Sequence, residues 1–313
     1  MAVWLIGAGQ MAQDYARVLQ ALDAPFRVIG RGLDSAQKFE KATGQTVETC
    51  GLATALDSGG APTEAIVAVG VEQLALTATA LIEAGTQHIL LEKPGGLNED
   101  EIARLEEKAI KRGAKVLIAY NRRFYNSVDQ ARKFIRDDGG LLSAQFDFTE
   151  WAHKIAPIVK APGVKERWLL VNSSHVIDLA FYLCGRPKDW RCWHTGALDW
   201  HPASARFAGA GVTDKDVMFA YMSDWQAPGR WGLELMTAKR KIILRPVEQI
   251  QVTPLGSIGV EEIVSTDLLD QEFKPGLYRQ TKAFLSRELS QFCTLSEQGQ
   301  NVKIYSVMAG YKK

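Results

Sequence analysis

Cysteine is sparse in this chain, and its placement excludes most of what cysteine does structurally. Cys50, Cys184, Cys192 and Cys293 are scattered and form no C-x-x-C pair, which argues against a disulfide frame or a zinc site and fits a reducing cytoplasm. Charge of one sign is equally lacking. The formal net charge is +1 over 313 residues with no long run of either sign, so neither a nucleic-acid face nor an anionic membrane partner is expected. No apolar stretch approaches the ~20 residues that cross a bilayer. Residues 3–6 already read as a strand, so no signal peptide is expected. Internal repeats and low-complexity tracts are absent. His88, His153, His194 and His201 show no metal-ligand spacing with acids or cysteines, and no metal is expected.

What is present is ordinary globular composition, 46% hydrophobic and 23% charged, which excludes disorder and fibrous forms. The length accommodates two domains. Over the first 120 residues, buried-strand runs alternate with helical periodicity. Strands are predicted at 3–6, 26–29, 65–69, 88–91 and 115–120, and helices at 11–22, 35–43, 72–84 and from Asn98 to about Arg112. Gly44 and Gly85 read as C-terminal stops. Asn98-Glu99-Asp100-Glu101 resembles a capping box. Such alternation predicts right-handed βαβ units on a mostly parallel sheet.

After Tyr120 the pattern changes. A helix over 127–137 ends at Asp138-Gly139-Gly140, and a strand follows with Ala144, Phe146 and Phe148 on one face. A helix over 173–183 stops at Gly185 and Pro187. Strand-like runs separated by turns such as Ala227-Pro228-Gly229 fill 190–252. This is the profile of an α+β domain with a large open, mostly antiparallel sheet. The expected division is a dinucleotide-binding Rossmann domain over 1–121 and an α+β domain over 122–313, to which the resemblance given below assigns substrate binding and oligomerisation. Seven of the eight tryptophans lie past residue 150; a core or subunit-interface role is favoured over substrate stacking.

Two motifs carry chemistry. Gly7-Ala8-Gly9-Gln10-Met11-Ala12 sits between a strand and a helix. There Gly7 permits a tight turn, Gly9 lets the backbone approach a pyrophosphate, and Ala12 allows close helix–strand packing. The helix start supplies N–H donors. At the end of the second strand the chain has Gly30-Arg31-Gly32, with Ser35 and Lys38 close behind, where an NAD-specific acid is usual. A guanidinium there suits a 2′-phosphate, so NADP(H) is favoured over NAD(H), with Asp34 the contrary feature. Gly70 and Asn121 complete the expected cofactor contacts. The second motif, Glu92-Lys93-Pro94, ends another apolar strand, where doubly wound sheets present ligand-contacting groups.

With these motifs, Tyr120-Asn121-Arg122-Arg123-Phe124 and Ser174-His175-Val176-Ile177-Asp178-Leu179 follow in order. In this the chain resembles the glucose-fructose oxidoreductase / inositol dehydrogenase (Gfo/Idh/MocA) family over essentially its whole length. The resemblance implies a pyridine-nucleotide dehydrogenase or reductase of sugars, nucleotide sugars or polyols, a Rossmann domain plus an open-sheet domain, and homodimers or homotetramers formed through that sheet. It implies that Lys93 lies near nicotinamide C4 and the reacting carbon, with Glu92 on the cofactor side, and that His175 faces the substrate hydroxyl. Where relatives often carry an aspartate four positions before the histidine, this chain has Val171, which cannot take part in a proton relay. Arg122, Asn172, Trp151, Lys154 and Trp168 are candidate substrate contacts, Arg123 a structural ion-pair partner, and Asp178 a structural residue. Two other readings stand beside this one: a non-catalytic NADP(H)-sensing regulator, fed by Val171, and an NAD-using glycoside hydrolase of the same family, which Arg31 fits poorly.

Overall fold

The computed structural model describes residues 2–311. Its contacts divide the chain into two units: one runs up to Asn121 and is joined by Leu269–Val302, and the other comprises Arg122–Leu268 joined by the residues from Lys303 onward. The sequence reading places all of 122–313 in the second domain; the structure returns Leu269–Val302 to the first.

The first unit runs β1 (Val3–Ile6), α1 (Gln10–Ala21), β2 (Phe26–Ile29), α2 (Leu33–Thr43), β3 (Val47–Glu48), α3 (Gly51–Gly59), β4 (Glu64–Val67), α4 (Leu74–Ala84), β5 (His88–Leu91), α5 (Glu99–Arg112) and β6 (Lys115–Ile118). These strands pair in parallel throughout, in the order β3-β2-β1-β4-β5-β6. That is a Rossmann sheet, with the order reversing between β1 and β4. All four β1 residues are buried, as a strand covered on both faces requires. Helix α1 buries Ala12, Tyr15, Ala16, Val18 and Leu19 along one face. At the start of α5, Asn98 Oδ1 accepts from the Glu101 N–H at 2.9 Å, as the cap of a capping box does, while Glu101 Oε2 accepts from the N–H of Leu97, one residue before the cap, at 2.8 Å. Gly44, Gly85 and Gly113 end α2, α4 and α5 with positive φ. A 3₁₀ turn over Val71–Gln73 precedes α4, which therefore starts later than its sequence pattern predicts.

The second unit contains α6 (Asn126–Asp137), β7 (Ser143–Asp147), α7 (Ala152–Ile155), α8 (Ser174–Cys184), β8 (Pro187–Thr195), β9 (Arg206–Thr213), β10 (Met218–Asp224), β11 (Gly232–Met236), β12 (Arg240–Leu244), β13 (Gln251–Pro254) and β14 (Glu261–Glu262). The sheet order is β14-β13-β12-β11-β7-β10-β9-β8. Only the β7–β10 pairing is parallel. Period-2 burial along β10 turns Phe219, Tyr221 and Ser223 inward and leaves Met218 and Met222 exposed. On the inner face, Phe181 of α8 stands edge-on to Phe146 and Phe219, at 5.6 and 5.3 Å between centroids.

The chain then returns through α9 (Leu269–Glu272), α10 (Leu277–Ser286) and β15 (Cys293–Thr294) before α11 (Leu295–Ala309). Helix α10 packs on α1, and β15 pairs antiparallel with β6 as a seventh strand of the first sheet. Among the described residues no helix is long and apolar enough to cross a membrane.

Candidate active site

In the first unit, Gly7 leaves β1 with φ +119°, and a Cβ there would stand 2.4 Å from the Ala68 carbonyl oxygen. Only glycine meets both conditions. Gly9 caps α1 without a side-chain hydrogen bond, and nothing lies within 4 Å of where its Cβ would be. The first N–H groups of α1 are thus left for an outside acceptor, and the turn fits a dinucleotide pyrophosphate. Ala8 is buried, while Gln10 is exposed and bonded to Asp14. Lys274 approaches the sulfur of Met11 and stands 3.9 Å from Asp14.

At the end of β2, Arg31 and Lys38 are exposed, and Ser35 Oγ donates to the Gly32 carbonyl at 2.9 Å within the first turn of α2. The nearby acid Glu48 is held by Arg27 through two bonds of 2.8 and 2.7 Å, and that pairing lowers its pKa. Gly70 opens the 3₁₀ turn after β4. Asn121 is buried and donates its amide to the Pro275 carbonyl at 2.9 Å, so that donor is engaged by protein.

Glu92 and Lys93 follow β5 directly. Glu92 Oε1 accepts from the Tyr15 hydroxyl at 2.8 Å. Burial raises the Glu92 pKa against the opposing pull of Lys93 and Tyr15, and raises that of Tyr15, with the Glu92 charge adding to it. The Lys93–Pro94 peptide is cis. Gln298 Nε2 donates to the Pro94 carbonyl at 2.9 Å and approaches the Tyr120 hydroxyl at 3.2 Å. The turn bearing Lys93 is therefore tied by Tyr15 at Glu92 and by Gln298 at Pro94. Tyr15, Gln298 and Lys274 were not among the residues expected from sequence.

In the second unit, a π-helical turn over Leu169–Ser173 precedes α8, where the sequence predicts helix only from residue 173. It carries Asn172, whose amide donates to Glu150 Oε1 at 2.8 Å; Ser173 Oγ donates to the same oxygen at 2.7 Å. Glu150 is buried, and sequence reasoning passed over it. Val171 is buried. His175 is buried with its ring 6.2 Å from Trp231. Arg123 and Asp178 form a buried bidentate pair at 2.8 and 2.6 Å, while Arg122 stands over Trp231 at 4.7 Å. Trp151 is 46% exposed and its indole N–H donates to the Gly229 carbonyl at 2.8 Å. Lys154 is exposed on α7. Trp168 is buried edge-on to Trp200, 6.0 Å away.

A second buried histidine steadies the π turn. His201 Nδ1 lies 2.7 Å from the Ser204 carbonyl and Nε2 lies 2.9 Å from the Tyr311 hydroxyl, which accepts from the Leu169 N–H at 3.1 Å. Burial drives the His201 pKa down to about 4. The unfolded chain, with an ordinary value near 6.5, binds the proton first, so stability is full above about pH 6.5 and is lost as pH falls towards 4. The loss is expected to reach about 3 kcal/mol. Denaturant midpoints measured from pH 7 to 4 should fall less steeply in His201→Gln; an unchanged slope would assign the acid sensitivity elsewhere.

Comparison with known proteins places this geometry. Residues 1–120 match the model of the Gfo/Idh/MocA family, described as an oxidoreductase family with an NAD-binding Rossmann fold. A search of curated proteins finds no match. Among solved structures, levoglucosan dehydrogenase in complex with NADH superposes with a TM-score of 0.77 at 16% identity, covering 99% of this chain and 96% of its own. UDP-N-acetylglucosamine 3-dehydrogenase from Acidithiobacillus ferrooxidans gives 0.74 at 14% identity, over 99% and 97% of the two chains. The WlbA dehydrogenase from Bordetella pertussis, in complex with NADH and UDP-GlcNAcA, gives 0.70 at 13%, over 98% and 94%. The likeness to the Gfo/Idh/MocA oxidoreductase family model thus covers residues 1–120, and over its length the chain has the fold of these dehydrogenases.

Proposed function

We propose that this protein is an NAD(P)-dependent oxidoreductase acting on a carbinol or keto carbon of a sugar, nucleotide sugar or polyol. The observation that carries the reading is the sharing of one sheet edge by the glycine turn and Lys93. They follow β1 and β5, strands separated only by β4, hence roughly 10 Å apart at the sheet's carboxyl edge. The turn from Gly7 to Met11 would hold the pyrophosphate. The cofactor, when bound, supplies the hydride acceptor or donor. Lys93 hydrogen-bonds the reacting oxygen and gives or takes its proton, a role worth about 10²–10⁴ in rate. Glu92, braced by Tyr15, fixes the turn from the cofactor side. In the second unit His175 orients the substrate hydroxyl. Asn172, held by Glu150, offers the substrate its remaining amide capacity.

Mixing the protein with NADPH and a panel of keto-sugars tests this: absorbance loss at the nicotinamide band supports it. Bound nucleotide with no net consumption would favour the hydrolase, and nucleotide binding with no reaction of any sugar the regulator.

The same reading favours NADP(H). Arg31 has no carboxylate partner among the described residues, and Arg27 holds the nearest strand-end acid. Arg31→Ala should weaken NADPH binding about tenfold, the worth of one charge-assisted hydrogen bond, with little change for NADH. Equal effects on the two nucleotides would remove Arg31 from cofactor choice. Self-association through the open sheet face, where Trp193, Met218 and Met222 stand 62, 63 and 71% exposed, and a reducing compartment such as the cytoplasm, suited to four free cysteines, complete the proposal.

A further inference from the structure

Arg122 and Arg230 lie far apart in sequence yet meet on one indole. Their guanidinium carbons stand 4.7 and 5.1 Å from the Trp231 ring centroid, and Arg230 also lies 4.9 Å from the ring of Trp151. Three other arginines of this unit are neutralised: Arg123 by Asp178, Arg240 by Asp138, Arg245 by Asp147. Arg122 and Arg230 pair with no carboxylate among the described residues. Arg122 Nε and Trp231 Nε1 are buried without a hydrogen-bond partner. Two like charges on one ring repel, and buried donors left unsatisfied are costly. An oxyanion placed between them removes both penalties, since guanidinium forks match carboxylate and phosphate geometry.

We propose that Arg122, Arg230 and Trp231 form a subsite for an oxyanion, a carboxylate or phosphate, carried by the sugar-like substrate. The proposal rests on the oxidoreductase reading and narrows its substrate class to acidic sugars. The same indole lies beside His175, so one tryptophan joins the anion subsite to the residue that orients the hydroxyl.

The test is titration of the intact protein with D-glucuronate, glucose 6-phosphate and glucose, followed by tryptophan fluorescence and calorimetry. One of the two anions should bind at least about tenfold tighter than glucose, and which one does so separates carboxylate from phosphate recognition. Arg122→Gln and Arg230→Gln should each weaken that anion about tenfold or more, and raised salt should weaken it further. Arg230 is exposed, so its variant keeps the fold if Arg122→Gln does not. Glucose binding as well as both anions, or affinities unchanged in Arg230→Gln, would overturn the subsite. The titration needs no turnover, so a failure of NADPH oxidation sinks the oxidoreductase reading separately.

Discussion

Lys93→Met is expected to lower kcat by two to four orders of magnitude, the contribution of a positioned acid–base group, while the dissociation constant for NADPH stays near that of the parent protein. Methionine keeps the length and apolar stem of lysine but carries no proton. The side chain is half-buried on a turn that Gln298 and the Glu92–Tyr15 bond hold from the protein side, so the backbone is not expected to depend on the ammonium group. Stopped-flow single turnovers and nucleotide titration separate the two quantities. A kcat close to the parent value would exclude Lys93 from the chemistry. A parallel collapse of NADPH affinity would assign it to cofactor binding.

Asp178→Asn should lower stability by about 3–5 kcal/mol, because removing one partner of a buried ion pair leaves the other charge without compensation. The Arg123 and Asp178 side chains are only 3% and 1% exposed, and the guanidinium also stacks 4.5 Å from the Tyr182 ring. For a unit of this size the loss corresponds to a fall in Tm of roughly 6–20 °C. The double variant Arg123→Met/Asp178→Leu should recover part of it, since apolar side chains of similar volume avoid the desolvation penalty. Calorimetry on the three proteins decides. A Tm within a degree or two of the parent in Asp178→Asn would show that the pair is not structural.

The glycine turn was legible because its spacing and its place between strand and helix each require the backbone that Gly7 adopts. The capping box at Asn98 was legible because it is local. Glu150 was within reach: the alternation that buries Ala144, Phe146 and Phe148 places residue 150 in the same phase, and a buried carboxylate signals function or pairing. The π turn at Leu169–Ser173 has no comparable signature, since one extra residue per turn leaves the apolar pattern helical on both sides. Arg230 and Trp231 were hidden differently. They follow Ala227-Pro228-Gly229, which reads only as a strand separator, and their meeting with Arg122, on the 3₁₀ turn Asn121–Phe124, is set by tertiary packing. Leu269–Val302 escaped because a two-residue strand such as β15 carries no period at all.

That returning segment has a consequence for how the molecule is made. The ribosome releases residues 1–121 long before Cys293 and Thr294 exist, so during synthesis the nucleotide-binding sheet waits with the β6 edge unpaired and the α10-facing side of α1 bare. A fragment cut after Asn121 would carry the same raw edge permanently, an invitation to intermolecular strand pairing. The nucleotide-binding half thus reaches its finished form only after Cys293 and Thr294 have emerged.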